Sequence, residues 1–421
     1  MMGKSVITAL KNRICLKKAI IYLLTVVILS VSWNGKLFAQ VSQQDLFNVF
    51  APSPEAASLA KFGEIPVNLY AGIPNITLPI YTFKLRDFSL PVRLRYNYTG
   101  MKVDEIASSV GYGWALEAGG VIAATVHGLP DGFTGRPIPE EPWLFNPDYY
   151  NNKSDYDIAQ GVIDGVYDVE PDEFFYNFAG RSGKFVTGTE ASKFYPIPYR
   201  GMVIEKNSNG FLITDENGVK YEFYLKGSVF TSQVCEGGQG HQSISDVSPP
   251  EVSSGSWYLT RIVTPNGSEI QLNYESYGYT YEGMPSVQKY ELKIGYGCAS
   301  IENRECTPTH QVFEKRLASI YSPATGVKVR FFYESSDRKD LPGANALKSI
   351  KVYHGDSQVP ATYFNLTHDY FYADGYNSSD PQEEQAKESR LKLISLTERD
   401  TLAYKFTYNS AIEIPARGSF G

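Results

Sequence analysis

Short stretches in which hydrophobic and polar residues alternate dominate the chain from Ile65 onward, with Gly, Pro and Asn between them. The clearest stretch is 90–98 (LPVRLRYNY), in which every second residue is apolar and therefore falls on one face of a strand. Prolines inside several stretches indicate edge strands or strand starts. We predict an all-β fold, with antiparallel, β-sandwich-like sheets in the N-terminal part and repeated β-hairpins after them.

The C-terminal half contains a degenerate repeat. Each unit has a Leu-x-x-Ile start, a turn, and a strand that ends in Tyr followed by a polar pair. Three units fit, at 258–276, 316–335 and 390–410. A hairpin has an apolar face that its neighbours must cover, so the pattern predicts at least three hairpins packed together. The predicted starts are Leu259-x-x-Ile262, Leu317-x-x-Ile320 and Leu391-x-x-Ile394.

The first 39 residues have the features of a secretory signal peptide. A basic start precedes the apolar run 19–31, and Ala39 supplies a small residue at the expected cleavage site. The run is shorter than the roughly 20 residues that a membrane-spanning helix needs, although an uncleaved anchor is the alternative. We expect the mature protein to begin at Gln40 and to have no membrane span. It would be exported to the cell surface or beyond, with the periplasm as a further possibility.

The mature chain divides by composition into two parts. Residues 40–232 are predicted to form a β-rich head with an irregular, Pro- and Tyr-rich insertion at 130–157. A Gly/Ser/Gln-rich stretch, 233–255, is predicted to be a flexible loop. Residues 256–421 hold the hairpin repeats, which we expect to be a truncated array.

The final strand motif suggests self-association. Tyr404, Phe406 and Tyr408 alternate and are followed by a tail too short for another hairpin. We therefore expect an unpaired strand edge and a partly exposed aromatic face, both of which favour pairing with another chain.

Charge narrows the range of partners. The chain has 39 Lys and Arg against 46 Asp and Glu, and removal of the six basic signal residues lowers its formal net charge from −7 to −13. An acidic protein is a poor ligand for nucleic acid, so we expect no nucleic-acid partner.

Three cysteines remain after cleavage: Cys235, Cys298 and Cys306. Cys298 and Cys306 flank a short polar stretch and could close a loop, but the pairing could equally involve Cys235. Free thiols are a further alternative, and a zinc site is a weaker one because no Cys-x-x-Cys spacing exists.

The densest group of carboxylates is Asp168, Glu170, Asp172 and Glu173. We interpret it as solvated charge at the entry to a strand, with a calcium site or a glycosidase pair as lesser alternatives. The segment 180–184 (GRSGK) superficially resembles a phosphate-binding loop but lacks its first Gly and its final Ser or Thr, so we expect a strand turn.

The remaining candidate residues do not assemble into a catalytic motif. Cys235 and His241 are a weak nucleophile pair, because a Gly-rich loop would hold neither rigidly. Trp114, which follows Gly111 and Gly113, is predicted to be a core residue, with a sugar-binding platform as the alternative. No catalytic, cofactor-binding or metal-binding residue is therefore assigned. The histidines are scattered, at His127, His241, His310, His354 and His368.

A succession of motifs between residues 53 and 185 resembles a known family. It includes 63–76 (GEIPVNLYAGIPNI), 110–116 (VGYGWAL) and 170–178 (EPDEFFYNF), closed by 180–185. This region resembles the N-terminal part of the large exported RHS/YD-repeat proteins of Bacteroidetes-type bacteria. More loosely, it is similar to the opening domain of Tc-toxin B components and SpvB-like virulence proteins.

The resemblance implies a non-enzymatic scaffold without a cofactor, the head region of a YD-repeat surface or toxin-scaffold protein. Its partner would be a protein, either its own downstream repeats or another surface protein. The chain departs from the family pattern because no run of YD repeats and no terminal effector precedes Gly421. A carbohydrate-binding module with a glycan partner is the alternative, favoured by the Tyr-rich stretch 143–156, and a glycoside hydrolase is a weaker one.

Overall fold

In the computed structural model, residues 49–50, 76–96, 100, 102–127, 172–187, 193–236, 252–291, 301–373, 380–409 and 416–417 are described. All of them belong to one compact unit, Asn48–Gly421. The predicted signal peptide and the predicted insertion 130–157 lie outside the described residues.

Antiparallel strands make up nearly all of the regular structure, which confirms the all-β fold class. The described residues contain one helix, α1 (Pro381–Glu388). The strands are β1 (Val49–Phe50), β2 (Ile76–Lys84), β3 (Ser89–Tyr96), β4 (Trp114–Glu117), β5 (Gly120–His127), β6 (Glu173–Phe178), β7 (Arg181–Thr187), β8 (Phe194–Ile197), β9 (Val203–Asn207), β10 (Gly210–Thr214), β11 (Lys220–Phe223), β12 (Leu225–Glu236), β13 (Val252–Tyr258), β14 (Arg261–Val263), β15 (Glu269–Glu282), β16 (Ser286–Glu291), β17 (Ile301–Ser322), β18 (Val327–Tyr333), β19 (Leu347–His354), β20 (Thr362–Tyr372), β21 (Ser389–Glu398) and β22 (Thr401–Lys405).

The large sheet curves until its ends approach each other. Paired strands can be followed from β8 through β7, β6, β5, β13, β12, β17, β15, β14, β11 and β10 to β9. The two ends of this path, β8 and β9, are consecutive in the chain. The sheet therefore nearly closes on itself around a core of aromatic side chains, among them Phe174, Phe185 and Phe211, whose ring centroids lie 5.0–5.6 Å apart.

A second part of the same sheet branches from β17. This strand is 22 residues long and pairs with β12, β15 and β16 over most of its length. Its last four residues pair with β18, and β19, β20, β21 and β22 follow as an up-and-down series. A separate three-stranded sheet, β2–β3–β4, contributes to the same hydrophobic core through residues such as Leu94 and Trp114.

The predicted loop 233–255 is wrong at both ends. β12 continues to Glu236 and β13 begins at Val252, while 237–251 lie outside the described residues. The Gly- and Ser-rich start of β13 is a strand because its backbone pairs with β12, and the following residues also pair with β5, with Trp257 opposite Ile122. Backbone pairing on two sides overrides a composition that favours loops. The division of the mature chain at this loop stays a prediction.

Candidate functional site

The three repeat units share one hydrogen bond, which we call the tyrosine lock. In each unit, the hydroxyl of a Tyr that follows the turn donates to the main-chain carbonyl of a Leu that precedes the turn. Each lock therefore connects the two sides of its hairpin, so the sequence repeat is also a structural repeat. The pairs are Tyr274 to Leu259 (2.8 Å), Tyr333 to Leu317 (3.1 Å) and Tyr408 to Leu393 (2.8 Å).

The third lock corrects the predicted start of the third unit. Leu393 and Leu396 are fully buried, as are Leu259 and Ile262 in the first unit, whereas Ile394 is only half-buried. The third start is therefore Leu393-x-x-Leu396. Hydrophobicity could not distinguish the two registers, because Leu391 is also buried, in a separate cluster.

Burial keeps the lock hydroxyls of Tyr274 and Tyr408 protonated. It raises the pKa of Tyr274, and the nearby Tyr333 phenol adds to this rise. Burial also raises the pKa of Tyr408 to about 12, although a hydrogen bond from Trp114 opposes the rise. Both of these phenols, Tyr274 and Tyr408, remain donors at neutral pH.

Removal of one lock should cost a measurable but modest amount of stability. We expect Tyr333→Phe to lower the free energy of unfolding by about 1 kcal/mol, because a buried carbonyl loses its partner. Urea denaturation measures the change. Tyr353→Phe is the matched control, because the Tyr353 hydroxyl forms no hydrogen bond with any of the described residues. Equal losses in both variants would contradict the lock.

Trp114 joins the three-stranded sheet to the last hairpin. Its side chain is 2% exposed, and its indole Nε1 donates to the Tyr408 hydroxyl at 3.2 Å. Its ring centroid lies 5.1 Å from that of Tyr96 and 4.8 Å from that of Phe406. Trp114 is thus a core residue as predicted, and the sugar-platform alternative is wrong because the ring is not accessible.

The predicted partly exposed aromatic face is confirmed. Tyr404 is 41% exposed, and Phe406 and Tyr408 are half-buried in contact with Trp114. β22 pairs with β21, with Lys405 opposite Ser395, and no strand of the described residues is registered against its other side. The candidate interaction site is therefore the backbone edge of β22 that faces away from β21.

A buried ion pair fixes the segment before β4 against the hairpin series. Arg338 and Asp340 are each 2% exposed at the side chain and approach to 2.7 Å. Arg338 also donates to the carbonyls of Ala107 and Ser108, and the Asp340 carboxylate accepts from the main-chain N–H of Leu391. The sequence did not indicate either residue, since the main-chain groups that they bind are distant from them in the chain.

His368 makes a second link to the same segment. Its Nε2 donates to the carbonyl of Val110 at 3.1 Å. Burial lowers the pKa of His368 to about 4, despite the opposing effect of this hydrogen bond. His368 is therefore neutral at physiological pH.

This buried histidine predicts acid sensitivity. The pKa is depressed in the folded state, so its contribution to stability is present above the ordinary value of about 6.5 and is lost as the pH falls towards 4. We expect a loss on the order of 3 kcal/mol between pH 6.5 and 4. Urea denaturation at several pH values should show a shallower decline for His368→Gln, and identical profiles would contradict the assignment.

The carboxylate cluster does not form a site in the part that is described. Asp172 is 3% exposed and accepts from the main-chain N–H of His127 at 3.1 Å, so the solvated interpretation is wrong for it. Glu173 pairs with Lys184 at 2.7 Å. Asp168 and Glu170 lie outside the described residues. Within those residues no group of three metal-ligating side chains comes together.

The phosphate-loop-like segment is a strand turn, as predicted. Ala179 (φ 48°) and Gly180 (φ 77°) form the two-residue connection between β6 and β7, and Phe178 lies opposite Arg181. Positive φ at both positions is typical of the hairpin turn whose twist matches its strands.

The structure describes the bonding state of Cys306. Cys306 is disulfide-bonded, which excludes the free-thiol and zinc interpretations for this residue. The strand register places Cys235 opposite Cys306, and Cys298 lies outside the described residues. His241, the suggested partner of Cys235 in a nucleophile pair, also lies outside them. His310 is held by Thr231 at 2.9 Å.

A small cavity of about 90 Å³ lies between the hairpins and the segment before β4. Its wall includes Tyr258, Tyr274 and Tyr333, and the Arg316 guanidinium lies 4.4 Å from the centre of the Tyr333 ring. The Tyr258 hydroxyl is buried without a hydrogen-bond partner. The space suffices for a few water molecules.

Comparisons with solved structures find matches to toxin complexes, all at low similarity. No protein-family model and no curated protein matches it. The crystal structure of TcdB2-TccC3-Cdc42 aligns with 78% of this chain at 12% identity and a TM-score of 0.32. A Photorhabdus luminescens Tc holotoxin pore aligns with 79% at 10% identity and a TM-score of 0.33. In both cases the match covers only 15% of the other chain.

Among the described residues, no helix has the length and apolarity needed to cross a membrane.

Proposed function

We propose that this chain is a non-enzymatic structural protein, the head region of an exported YD-repeat surface or toxin-scaffold protein. It would act at the cell surface or outside the cell. The observation that carries the proposal is the tyrosine lock, which recurs in three hairpins of one continuous sheet. A sheet built by repeating a locked hairpin is suited to extension by further hairpins.

The buried ionisable groups support a structural role. Arg338 and Asp340 neutralise each other and bind main-chain groups of neighbouring segments. His368 and Asp172 likewise bind the main chain. Each of these buried groups has a partner that stabilises the fold, which favours a scaffold over a catalyst.

The partner is a protein strand that adds to β22. One side of β22 is paired with β21, and on the other, where none of the described strands is registered, main-chain N–H and C=O groups can bind an incoming strand. Tyr404, exposed by 41%, supplies an apolar contact beside that edge. Further hairpins of the same protein, or another surface protein, would occupy it.

Self-association tests this edge, since the strand that adds to β22 can come from a second copy of the chain. Light scattering across a dilution series of the chain from Gln40 onward should show concentration-dependent growth. Tyr404→Lys should suppress it, because charge on an edge strand opposes pairing. Tyr199→Lys is the matched control, since Tyr199 is 85% exposed in the connection between β8 and β9, away from β22.

Two results would overturn the proposal. One is a monodisperse monomer at every concentration, which would show that β22 accepts no strand. The other is association that both Lys variants suppress equally, which would indicate nonspecific aggregation.

A further inference from the structure

Three cations lie together on the solvent-facing side of the β18–β19 hairpin. We call Lys328, Arg330 and Lys351 the cationic strip. Lys328 and Arg330 are exposed and alternate along β18 with the buried residues Val327 and Val329, so they point away from the core. In the register, Arg330 lies directly opposite Lys351 on β19.

The spacing of these charges is set by the sheet. Residues directly opposite on neighbouring strands have Cβ atoms about 5 Å apart, and residues two apart on one strand are separated by about 7 Å. Three positive charges thus fall within one short stretch of a chain whose formal net charge is −7.

The strip is electrostatically unfavourable in the protein alone. Like charges directly opposite on two strands destabilise a sheet. Within the described residues none of the three cations forms an ion pair, whereas Lys348 on the same strand pairs with Glu334 at 3.1 Å. The hydroxyl of Tyr363, which lies opposite Lys351, donates a hydrogen bond to the Asp400 carboxylate at 2.6 Å.

Aromatic rings surround the cationic strip. The Arg330 guanidinium lies 5.1 Å and the Lys351 Nζ 5.0 Å from the centre of the Phe332 ring, so one ring holds both cations together. Half-buried tyrosines extend the rows on both sides. They are Tyr321 and Tyr353, which lie opposite Lys328, and Tyr363, which lies opposite Lys351.

We propose that the cationic strip binds a polyanionic glycan, a chain of sugar rings carrying carboxylate or sulfate groups. The cations would bind the acidic groups and the flanking tyrosines would contact the sugar rings. A peptide strand cannot add here, because β18 is paired with β17 and β19, and β19 with β18 and β20. The inference is independent of the edge of β22.

The test measures binding of heparin and of polygalacturonate to the folded protein, with neutral dextran and polyglutamate as comparison ligands. The variant is Arg330→Gln/Lys351→Gln, in which the charge is lost but the strand pairing is kept. Lys348→Gln is the control, because it removes an exposed cation from the same strand outside the strip. A thermal melt of each variant verifies the fold.

We expect one of the two acidic glycans to bind in a salt-dependent way and the double variant to weaken its affinity at least about tenfold, with a shallower salt dependence. Lys348→Gln should bind like the parent protein. Parent-like binding by the double variant, or an equal loss in Lys348→Gln, would overturn the proposal. So would polyglutamate binding tighter than both glycans, since that would identify an acidic peptide as the ligand.

Discussion

Replacement of Trp114 by alanine is expected to lower the free energy of unfolding by about 3–5 kcal/mol, the range for removal of a large buried aromatic side chain. The loss combines the cavity left between Tyr96 and Phe406 with the hydrogen bond to Tyr408. Urea denaturation followed by circular dichroism measures it. The loss should be accompanied by exposure of the last hairpin, because Trp114 is its cover.

Trp114→Phe separates packing from hydrogen bonding. Phenylalanine keeps a ring in the core but donates no hydrogen bond to the Tyr408 hydroxyl, so we expect a smaller loss than for alanine. If alanine costs less than about 1 kcal/mol, the ring does not carry the packing that its 2% exposure indicates.

Asp340→Asn is expected to have an effect of similar size. The change removes the charge but keeps the shape, and so leaves the buried Arg338 guanidinium without a counter-charge. Loss of one partner of a buried pair costs about 3–5 kcal/mol. Chemical denaturation at neutral pH measures the change, and a loss below about 1 kcal/mol would show that solvent reaches Arg338.

The double variant Arg338→Met/Asp340→Leu is the informative comparison. Replacement of both charges by apolar side chains of similar volume often restores stability. Recovery should be partial here, because the carbonyls of Ala107 and Ser108 and the N–H of Leu391 lose their partners. A double variant less stable than Asp340→Asn would contradict the charge-burial explanation.

The fold class was accessible from the sequence because it depends on local alternation. The run 90–98 includes all of β3 except its first residue, and its apolar positions Leu90, Val92 and Leu94 are buried as the period of two requires. The hairpin repeat was also visible, since its start and its terminal Tyr recur at similar spacing. The register of the third unit could not be predicted, because Leu391 and Leu393 are both apolar. Only the folded structure shows that they lie in different hydrophobic clusters.

The links that hold distant segments together could not be predicted. Arg338, Asp340 and His368 look like ordinary surface residues until the fold places Ala107 and Val110 beside them. The cationic strip was missed for the same reason. Lys328 and Arg330 alternate with valines as on any solvent-facing strand, and only the register places Lys351 opposite Arg330.

The hydrogen bond between Trp114 and Tyr408 joins residues 294 positions apart in the chain. Closure of such a long loop costs conformational entropy before the contact is gained, and topologies dominated by distant pairings fold slowly. Burial of Trp114 should therefore be a late event in refolding, which has to wait until the third hairpin has formed. During synthesis the β2–β3–β4 sheet would emerge long before its cover, so partial chains would carry an exposed indole that a chaperone can bind.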